Sequence, residues 1–254
     1  MTLLWMGVLA QVLADFVLQT DRLVKMKSAI KWRAFLEHGL ALFLCTFVLT
    51  HLYGIKLALS FSTAAASVHL LIDYLKSLVT KRIRRKSSHI IAFVLDQLIH
   101  LYALFLLSFL FTSGFTVKPD ETVLALYLTC FPGINLSDLF NRYWDKTVIV
   151  SIIFVYVLFG GAVLNRLFLN CMSDLSKDNA SPNIGKWIGI LERAIILVLI
   201  ASDNVTAVAM VLTAKSIARF RQLNQRDFAE YYLVGTLIST VLAFIGGLAF
   251  RASC

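Results

Sequence analysis

The sequence predicts an all-α, polytopic helical membrane protein with about eight transmembrane helices, and three observations support this fold class. Hydrophobic residues make up 59% of the 254 residues and charged residues only 15%, whereas about a quarter of the residues in a soluble domain are charged. Apolar runs long enough to cross a bilayer recur from one end of the chain to the other. The sequence lacks a series of short alternating strands, which disfavours a membrane β-barrel.

Each predicted helix corresponds to one apolar run. The runs cover residues 2–20, 34–53, 57–79, 90–113, 121–140, 147–170, 187–213 and 231–250. The run 121–140 is the weakest because Pro132-Gly133 interrupts it, and it predicts either a kinked span or a re-entrant hairpin. Lysine and arginine concentrate in 21–33, 80–89 and 214–230, which should all face the cytoplasm. That requires 121–140 to cross the membrane, which gives eight helices with both termini on the outer side.

The whole chain, 1–254, is predicted to form a single integral membrane domain, because no polar segment is long enough to fold separately. Residues 1–113 form a four-helix half that carries most of the polar site, and residues 121–254 form a second helical half. The net charge of +9 lies mainly in short loops, which indicates contact with the lipid bilayer and anionic lipid headgroups and disfavours nucleic-acid binding. Whether the chain forms a homo-oligomer stays open. Gly160-Gly161 and Gly246-Gly247 predict close helix packing.

Two pairs of ionisable residues within apolar runs are the most informative feature of the sequence. His69 and Asp73 lie four residues apart, as do Asp96 and His100. On a helix this spacing places both side chains of a pair on one face. The basic run 81–86 between the pairs is too polar to enter the bilayer and predicts a turn. The two faces should therefore lie side by side at similar depth.

Three further residues are expected in the same layer. Counted from the predicted helix ends, Asp15, His38 and Asp203 reach the depth of the two pairs, roughly 6–15 Å below the cytoplasmic boundary. A charged group at the centre of a membrane helix costs about 2.5–3.5 kcal/mol on insertion scales, so the layer needs internal partners, water or a ligand.

Such a layer admits three interpretations. It can bind a divalent metal, because imidazole and carboxylate ligands suit Zn, Mn or Fe. It can relay protons or bind a cation along a transport path. It can also serve only as a set of helix-to-helix hydrogen bonds. Glu192 and Arg193, adjacent in the predicted seventh helix, are interpreted as a structural ion pair.

Several blocks of the sequence resemble a bacterial inner-membrane family of unknown function, a DUF family. The blocks in the N-terminal half are Ala14-Asp15-Phe16, Gln19-Thr20-Asp21, His38, His69 to Asp73, Lys76, Asp96-Gln97 and His100. Those in the C-terminal half are 185–193, 214–220 and 230–239. The resemblance implies a multi-pass protein of the bacterial inner (cytoplasmic) membrane and adds Glu192, Arg193 and Lys215 to the candidate site residues. The placement of histidines and aspartates is also similar to that in metal-dependent hydrolases of the same membrane.

The leading hypothesis is a metal-dependent hydrolase that acts on a lipid or lipid-linked phosphate at the cytoplasmic leaflet. Its candidate metal ligands are His69, Asp73, Asp96, His100 and His38. Its candidate catalytic carboxylates are Asp73, Asp96 and Asp15, one of them a general base. Its candidate substrate-binding residues are Gln19, Lys76, Gln97, Glu192, Arg193 and Lys215.

Two alternatives stay open: a proton- or cation-coupled transporter of small solutes, and a membrane scaffold or signalling partner without chemistry. No nucleotide-binding glycine loop, nucleophile elbow or zinc-protease motif occurs in the sequence, so no cofactor is identified by motif, and whether the protein is an enzyme stays open.

Overall fold

The computed structural model describes residues 2–81, 88–113, 117–130, 136–171 and 182–253, and within them it is helical, with no β-strand. The helices are α1 Thr2–Val12, α2 Asp21–Ser28, α3 Trp32–Thr50, α4 Ile55–Thr80, α5 Ser88–Thr112, α6 Glu121–Cys130, α7 Leu136–Val155, α8 Gly161–Cys171, α9 Pro182–Ala201, α10 Val205–Ala218 and α11 Arg226–Ser253. Two π-helical segments, Leu13–Leu18 and Tyr156–Gly160, continue α1 and α7. The all-helical prediction is confirmed.

Within the described residues, five helices are long and apolar enough to cross a membrane. They are Trp32–Tyr53, Ile55–Thr80, Ser88–Thr112, Trp144–Cys171 and Arg226–Ser253. A sixth span is present if the bent pair of α1 and α2 counts as one. The chain is thus a multi-pass membrane protein, whereas the predicted count of eight spans and the outer location of the termini are not confirmed.

The predicted first span, 2–20, ends earlier and bends. The helix runs to Leu18, and α2 leaves it at an angle of 97° after the two-residue joint Gln19-Thr20. Thr20 caps α2, since its hydroxyl accepts a hydrogen bond from the Leu23 amide at 3.4 Å. The segment predicted as a basic loop, 21–33, therefore contains a helix.

Two other predicted spans also differ. The run 187–213 is divided between α9 and α10 by a turn at Ser202–Asn204, where Asp203 has a φ of 62°. A positive φ is uncommon for a residue other than glycine and ends the helix. The run 121–140 begins with the ten-residue α6, and the Pro132-Gly133 break lies outside the described residues, as does the basic run at 82–87.

The chain divides into two compact units. The first unit comprises Met1–Arg84 and Ile91–Ile152, and the second comprises Arg85–Ile90 and Ile153–Cys254. In the first unit, α3 packs along α4 and α1 packs on α3. The face of α3 that carries His38 is buried, whereas the residues of its opposite face are about half exposed: Leu36, Leu40, Leu44 and Val48. A helix with a polar buried face and an apolar exposed face is suited to lipid surroundings.

In the second unit, α11 packs on α9 and α8, and α10 packs on α9. Gly246 and Gly247 permit the close approach of α11, because a Cβ at either position would lie 2.4 Å from Val157 or 2.5 Å from Ile200. The close packing predicted for this glycine pair is confirmed. The predicted division of the chain into the halves 1–113 and 121–254 stays a prediction.

Candidate functional site

Five buried or nearly buried ionisable side chains converge in the first unit. Asp15 comes from the π-helical segment after α1, His38 from α3, His69 and Asp73 from α4, and His100 from α5. The three histidines and Asp73 are at most 6% exposed. We call these five residues the His/Asp cluster. π-Helical turns inside α-helices are frequent at functional sites, and here one carries the first carboxylate.

Four atoms of the His/Asp cluster face one another. His38 Nε2 lies 3.0 Å from both Asp15 Oδ1 and His69 Nε2, and 3.6 Å from Asp73 Oδ2. His69 Nε2 lies 3.4 Å from Asp15 Oδ1 and 3.5 Å from Asp73 Oδ2. Asp15 Oδ1 and the two imidazole nitrogens therefore lie within 3.4 Å of one another, and Asp73 Oδ2 lies beside the two nitrogens.

The three atoms Asp15 Oδ1, His38 Nε2 and His69 Nε2 are spaced much as three ligand atoms of a tetrahedral metal site are. For metal–ligand bonds of about 2.0–2.1 Å, two ligand atoms in a tetrahedron lie about 3.3–3.4 Å apart. The three separations among these atoms range from 3.0 to 3.4 Å. Asp15, His38 and His69 offer three ligand atoms within 4.8 Å of one another, and so do His69, Asp73 and His100.

His100 adds a free nitrogen beside these atoms. Its Nδ1 donates to the backbone carbonyl of Asp96 at 2.8 Å. The Nε2 of this tautomer therefore carries a lone pair, and this buried atom has no hydrogen-bond partner. The His100 ring lies 4.1 Å from the His69 ring, measured between centroids. A metal or a proton could engage Nε2 without breaking an existing bond.

Lys27 is the member of the site that the sequence did not reveal. It lies in α2, is only 7% exposed and forms an ion pair with Asp73 Oδ2. Sequence reasoning assigned it to a cytoplasmic loop, together with Lys25 and Lys31. The Thr20-Asp21 capping sequence signals a short helix here, but nothing local distinguishes Lys27 from its neighbours, because its burial depends on the bend before α2.

Asp96 forms a second polar group with residues near it. Its Oδ2 accepts a hydrogen bond from Lys76 Nζ at 2.6 Å, and Gln97 Nε2 lies 3.4 Å away. Asp96 Oδ1 lies 3.4 Å from His100 Nδ1. The structure therefore places Asp96, Lys76 and Gln97 beside the cluster through His100, and it places Asp15 and His38 at the centre of the cluster.

A small cavity adjoins His69 and His100. Its volume is about 10 Å³, about enough for one water molecule. Its polar lining consists of Gln11, Thr46, His69 and His100, and the remaining lining is apolar. A water in this cavity would have several polar partners, as buried waters require.

The remaining predicted residues lie elsewhere. Gln19 lies in the joint between α1 and α2. Glu192, Arg193 and Lys215 belong to the second unit, where Glu192 Oε2 accepts a hydrogen bond from Lys215 Nζ at 2.6 Å. The ion pair predicted between Glu192 and Arg193 is therefore wrong. Asp203 was expected in the buried layer but is largely exposed and pairs with Arg251.

Comparison with known proteins identifies a family for the first half of the chain. Residues 3–124 match a family described as "Protein of unknown function (DUF3307)". The match includes every residue of the His/Asp cluster and confirms the predicted resemblance to an uncharacterised family for this segment. The C-terminal blocks lie outside the matched residues, and their resemblance stays a prediction. No curated protein and no solved structure matches the chain.

Proposed function

We propose that this chain, a membrane protein whose residues 3–124 match that family of unknown function, is a metal-dependent hydrolase of lipid or lipid-linked phosphate. One observation carries the proposal: the separations of 3.0–3.4 Å among Asp15 Oδ1, His38 Nε2 and His69 Nε2. Zn, Mn and Fe are the metals that this mixture of imidazole and carboxylate ligands favours.

Asp15, His38 and His69 form the metal-binding set in this proposal. Two histidines and one carboxylate leave a fourth position open, as catalytic zinc sites do. That position faces Asp73, whose Oδ2 lies 3.6 and 3.5 Å from the two imidazole nitrogens. Lys27 already binds the same oxygen, so Asp73 can be held beside the metal as the general base.

The reaction that follows is hydrolysis of a phosphate ester. A metal held by Asp15, His38 and His69 would supply Lewis-acid chemistry, which lowers the pKa of a water and polarises a phosphoryl oxygen. Asp73 accepts a proton from the water, the water oxygen forms a bond to phosphorus, and the bond between phosphorus and the leaving oxygen breaks. The proton then passes to the leaving oxygen. The products are inorganic phosphate and either a lipid alcohol, from a phosphate monoester, or a lipid monophosphate, from a lipid diphosphate. Lys27 and Lys76 supply positive charge for the substrate.

Metal analysis tests the binding step. Protein purified in detergent, stripped with chelator and reloaded with Zn²⁺, Mn²⁺ or Fe²⁺ should retain about one metal per chain, measured by inductively coupled plasma mass spectrometry. His38→Ala and His69→Ala should each abolish retention, since each removes a ligand. His89→Gln is the matched control, because His89 is exposed at the start of α5. Retention that is equal in all four proteins would exclude the site.

Turnover tests the chemical step. The reloaded protein should release phosphate from phosphatidic acid or a polyprenyl diphosphate in detergent, without a gradient. Asp73→Asn should lower the rate at least a hundredfold while Lys76→Gln mainly weakens substrate binding. If the metal-loaded protein is inactive on both substrates, the hydrolase proposal is contradicted, whereas the proposed metal site is not.

A second function, proton- or cation-coupled transport, is favoured by a different observation. Ser62 and Ser108 have buried hydroxyl groups without a hydrogen-bond partner. Ser62 precedes His69 by seven residues on the buried face of α4, and Ser108 follows His100 by eight residues on the buried face of α5. This places them about 10–12 Å from the cluster. Together with the water-sized cavity, they mark a polar path along the first unit. Uptake of metal or protons into sealed proteoliposomes, lost in the double variant Ser62→Ala with Ser108→Ala, would favour the transporter.

A further inference from the structure

Arg193 in the second unit is a buried cation that forms no ion pair with a described carboxylate. It is only 1% exposed and is the largest of the fully buried side chains. Its Nη1 donates to Ser239 Oγ at 3.0 Å and its Nη2 to the Leu158 carbonyl at 2.8 Å. Both partners are neutral. Among the described residues no carboxylate forms an ion pair with Arg193, since Glu192 is paired with Lys215.

The third nitrogen of the Arg193 guanidinium is unused. Nε is buried and has no hydrogen-bond partner. Burial of a charge is costly unless an opposite charge and further hydrogen bonds compensate it. The protein therefore compensates only part of the free-energy cost of burying the Arg193 charge, and a bound anion would compensate the rest.

The helices around Arg193 are shaped to fit its guanidinium. Gly161 and Gly189 border it, and a Cβ at either position would lie 3.3 Å from guanidinium or neighbouring side-chain atoms of Arg193. Larger residues at these positions would displace the guanidinium from Ser239. The two glycines thus keep the arginine in place and leave its Nε uncovered by a protein acceptor.

Three more buried polar atoms of the second unit lack a partner: Tyr232 Oη, Thr236 Oγ1 and Asn165 Oδ1. Tyr232 and Thr236 precede Ser239 by seven and three residues, which places all three on one face of α11. Asn165 lies one turn after Gly161 in α8, and its amide nitrogen would be 3.8 Å from a Cβ on Gly235.

The missing bond of Thr236 is unusual within this unit. Hydroxyl groups in membrane helices commonly bond the carbonyl four residues earlier. Thr213 and Ser216 do so in α10, at 2.8 and 2.9 Å. Thr236 does not, although its hydroxyl is buried. Its donor capacity is therefore available to a ligand.

The available groups are mainly hydrogen-bond donors. Arg193 Nε and the two hydroxyl groups can donate, whereas the unpartnered atom of Asn165 is its carbonyl oxygen, an acceptor. Lys215 lies next to them, with its Nζ 5.2 Å from the centre of the Tyr232 ring. A planar guanidinium with hydroxyl donors matches the oxygens of phosphate, and basic groups between membrane helices bind phosphate headgroups.

We propose that Arg193, Tyr232 and Thr236 form a binding site for a phosphate oxyanion, either inorganic phosphate or the headgroup of an anionic phospholipid. We call these three residues the Arg193 cluster. The site lies within the second unit, and its existence does not depend on the metal centre or on hydrolysis.

A binding measurement in detergent tests this site. The full chain in dodecyl maltoside, which carries no phosphate, is titrated with inorganic phosphate or with phosphatidylglycerol, and the melting temperature is followed by scanning fluorimetry. Ligand binding to the folded state raises this temperature saturably. A rise with inorganic phosphate assigns a soluble oxyanion. A rise with phosphatidylglycerol alone, absent with the zwitterionic phosphatidylcholine, assigns a lipid headgroup.

Variants connect the binding to these residues. Arg193→Gln should raise the apparent Kd at least tenfold, and Tyr232→Phe and Thr236→Val several-fold. Without ligand, the two hydroxyl variants should melt at or above the wild-type temperature, because their hydroxyl groups have no partner to lose. A purely structural role predicts a lower melting temperature. Arg251→Gln, which removes an exposed arginine of the same unit, should leave the Kd unchanged.

Two results would overturn the proposal. One is the absence of a saturable rise with both ligands. The other is a Kd that stays at the wild-type value in Arg193→Gln, Tyr232→Phe and Thr236→Val; if Arg193→Gln does not fold, the two hydroxyl variants decide. His38→Ala should lose metal and keep oxyanion binding, so failure of the metal centre and failure of this site are distinguishable.

Discussion

The two polar clusters handle buried charge in opposite ways. In the His/Asp cluster, Asp73 has Lys27 as a cationic partner, and the neighbouring Asp96 has Lys76. The Arg193 guanidinium has only a hydroxyl and a carbonyl as partners. The first cluster has an excess of acceptors and lone pairs and is suited to a cation. The second has an excess of donors and is suited to an anion.

The largest expected effect comes from breaking the compensated pair. Asp73→Leu leaves Lys27 buried without its partner, which should lower the free energy of unfolding by about 3–5 kcal/mol. The double variant Asp73→Leu with Lys27→Met removes both charges and should recover most of the loss. Unfolding in detergent, followed by circular dichroism, measures both. A double variant as unstable as the single one would show that Lys27 and Asp73 do not stabilise each other.

A smaller effect is expected when the uncompensated cation is removed. Arg193→Met strands the Ser239 hydroxyl and the Leu158 carbonyl but also removes a desolvated charge, so the net loss should be about 1–2 kcal/mol. The same unfolding measurement applies. A loss of 3–5 kcal/mol would mean that Arg193 has an anionic partner in the protein, and the contrast between the clusters would fail.

A still smaller effect tests the fit around Arg193. Gly189→Ala places a methyl group against Nη1 and should cost about 1 kcal/mol or more relative to Gly185→Ala. Gly185 is the matched control because it lies in the same helix and nothing lies within 4 Å of its added Cβ. There alanine should be neutral or stabilising through helix propensity. Equal stability of the two variants would contradict the close fit.

The smallest effect concerns the buried hydroxyl groups of the first unit. Ser62→Ala and Ser108→Ala should leave stability unchanged or raise it by up to about 1 kcal/mol, because neither hydroxyl has a partner. Ser77→Ala is the comparison, since Ser77 donates to the Asp73 carbonyl at 2.8 Å and its loss should be slightly destabilising. Clear destabilisation by Ser62→Ala would reveal a hidden partner and weaken the case for a polar path.

The sequence by itself determined the fold class and most of the first cluster. A chain that crosses lipid must satisfy its backbone hydrogen bonds internally, so a long apolar run predicts a helix. Helices such as α3, α4 and α5 can therefore be predicted without a structure. The four-residue spacing of His69 and Asp73 indicates a shared helix face, and the antiparallel arrangement of α4 and α5 brings His100 beside His69. These are short-range consequences of helix geometry.

Tertiary structure decided which residues complete each cluster. Lys27 reaches Asp73 only because the chain bends by 97° after Leu18, and Asp15 reaches His38 from a π-helical segment. Lys215 takes Glu192 as its partner and leaves Arg193 without a carboxylate among the described residues. Local sequence patterns do not encode such choices, because each depends on which side chain of another helix lies within about 4 Å. Because these side chains are buried, the loss of a partner has a large effect on the free energy of unfolding.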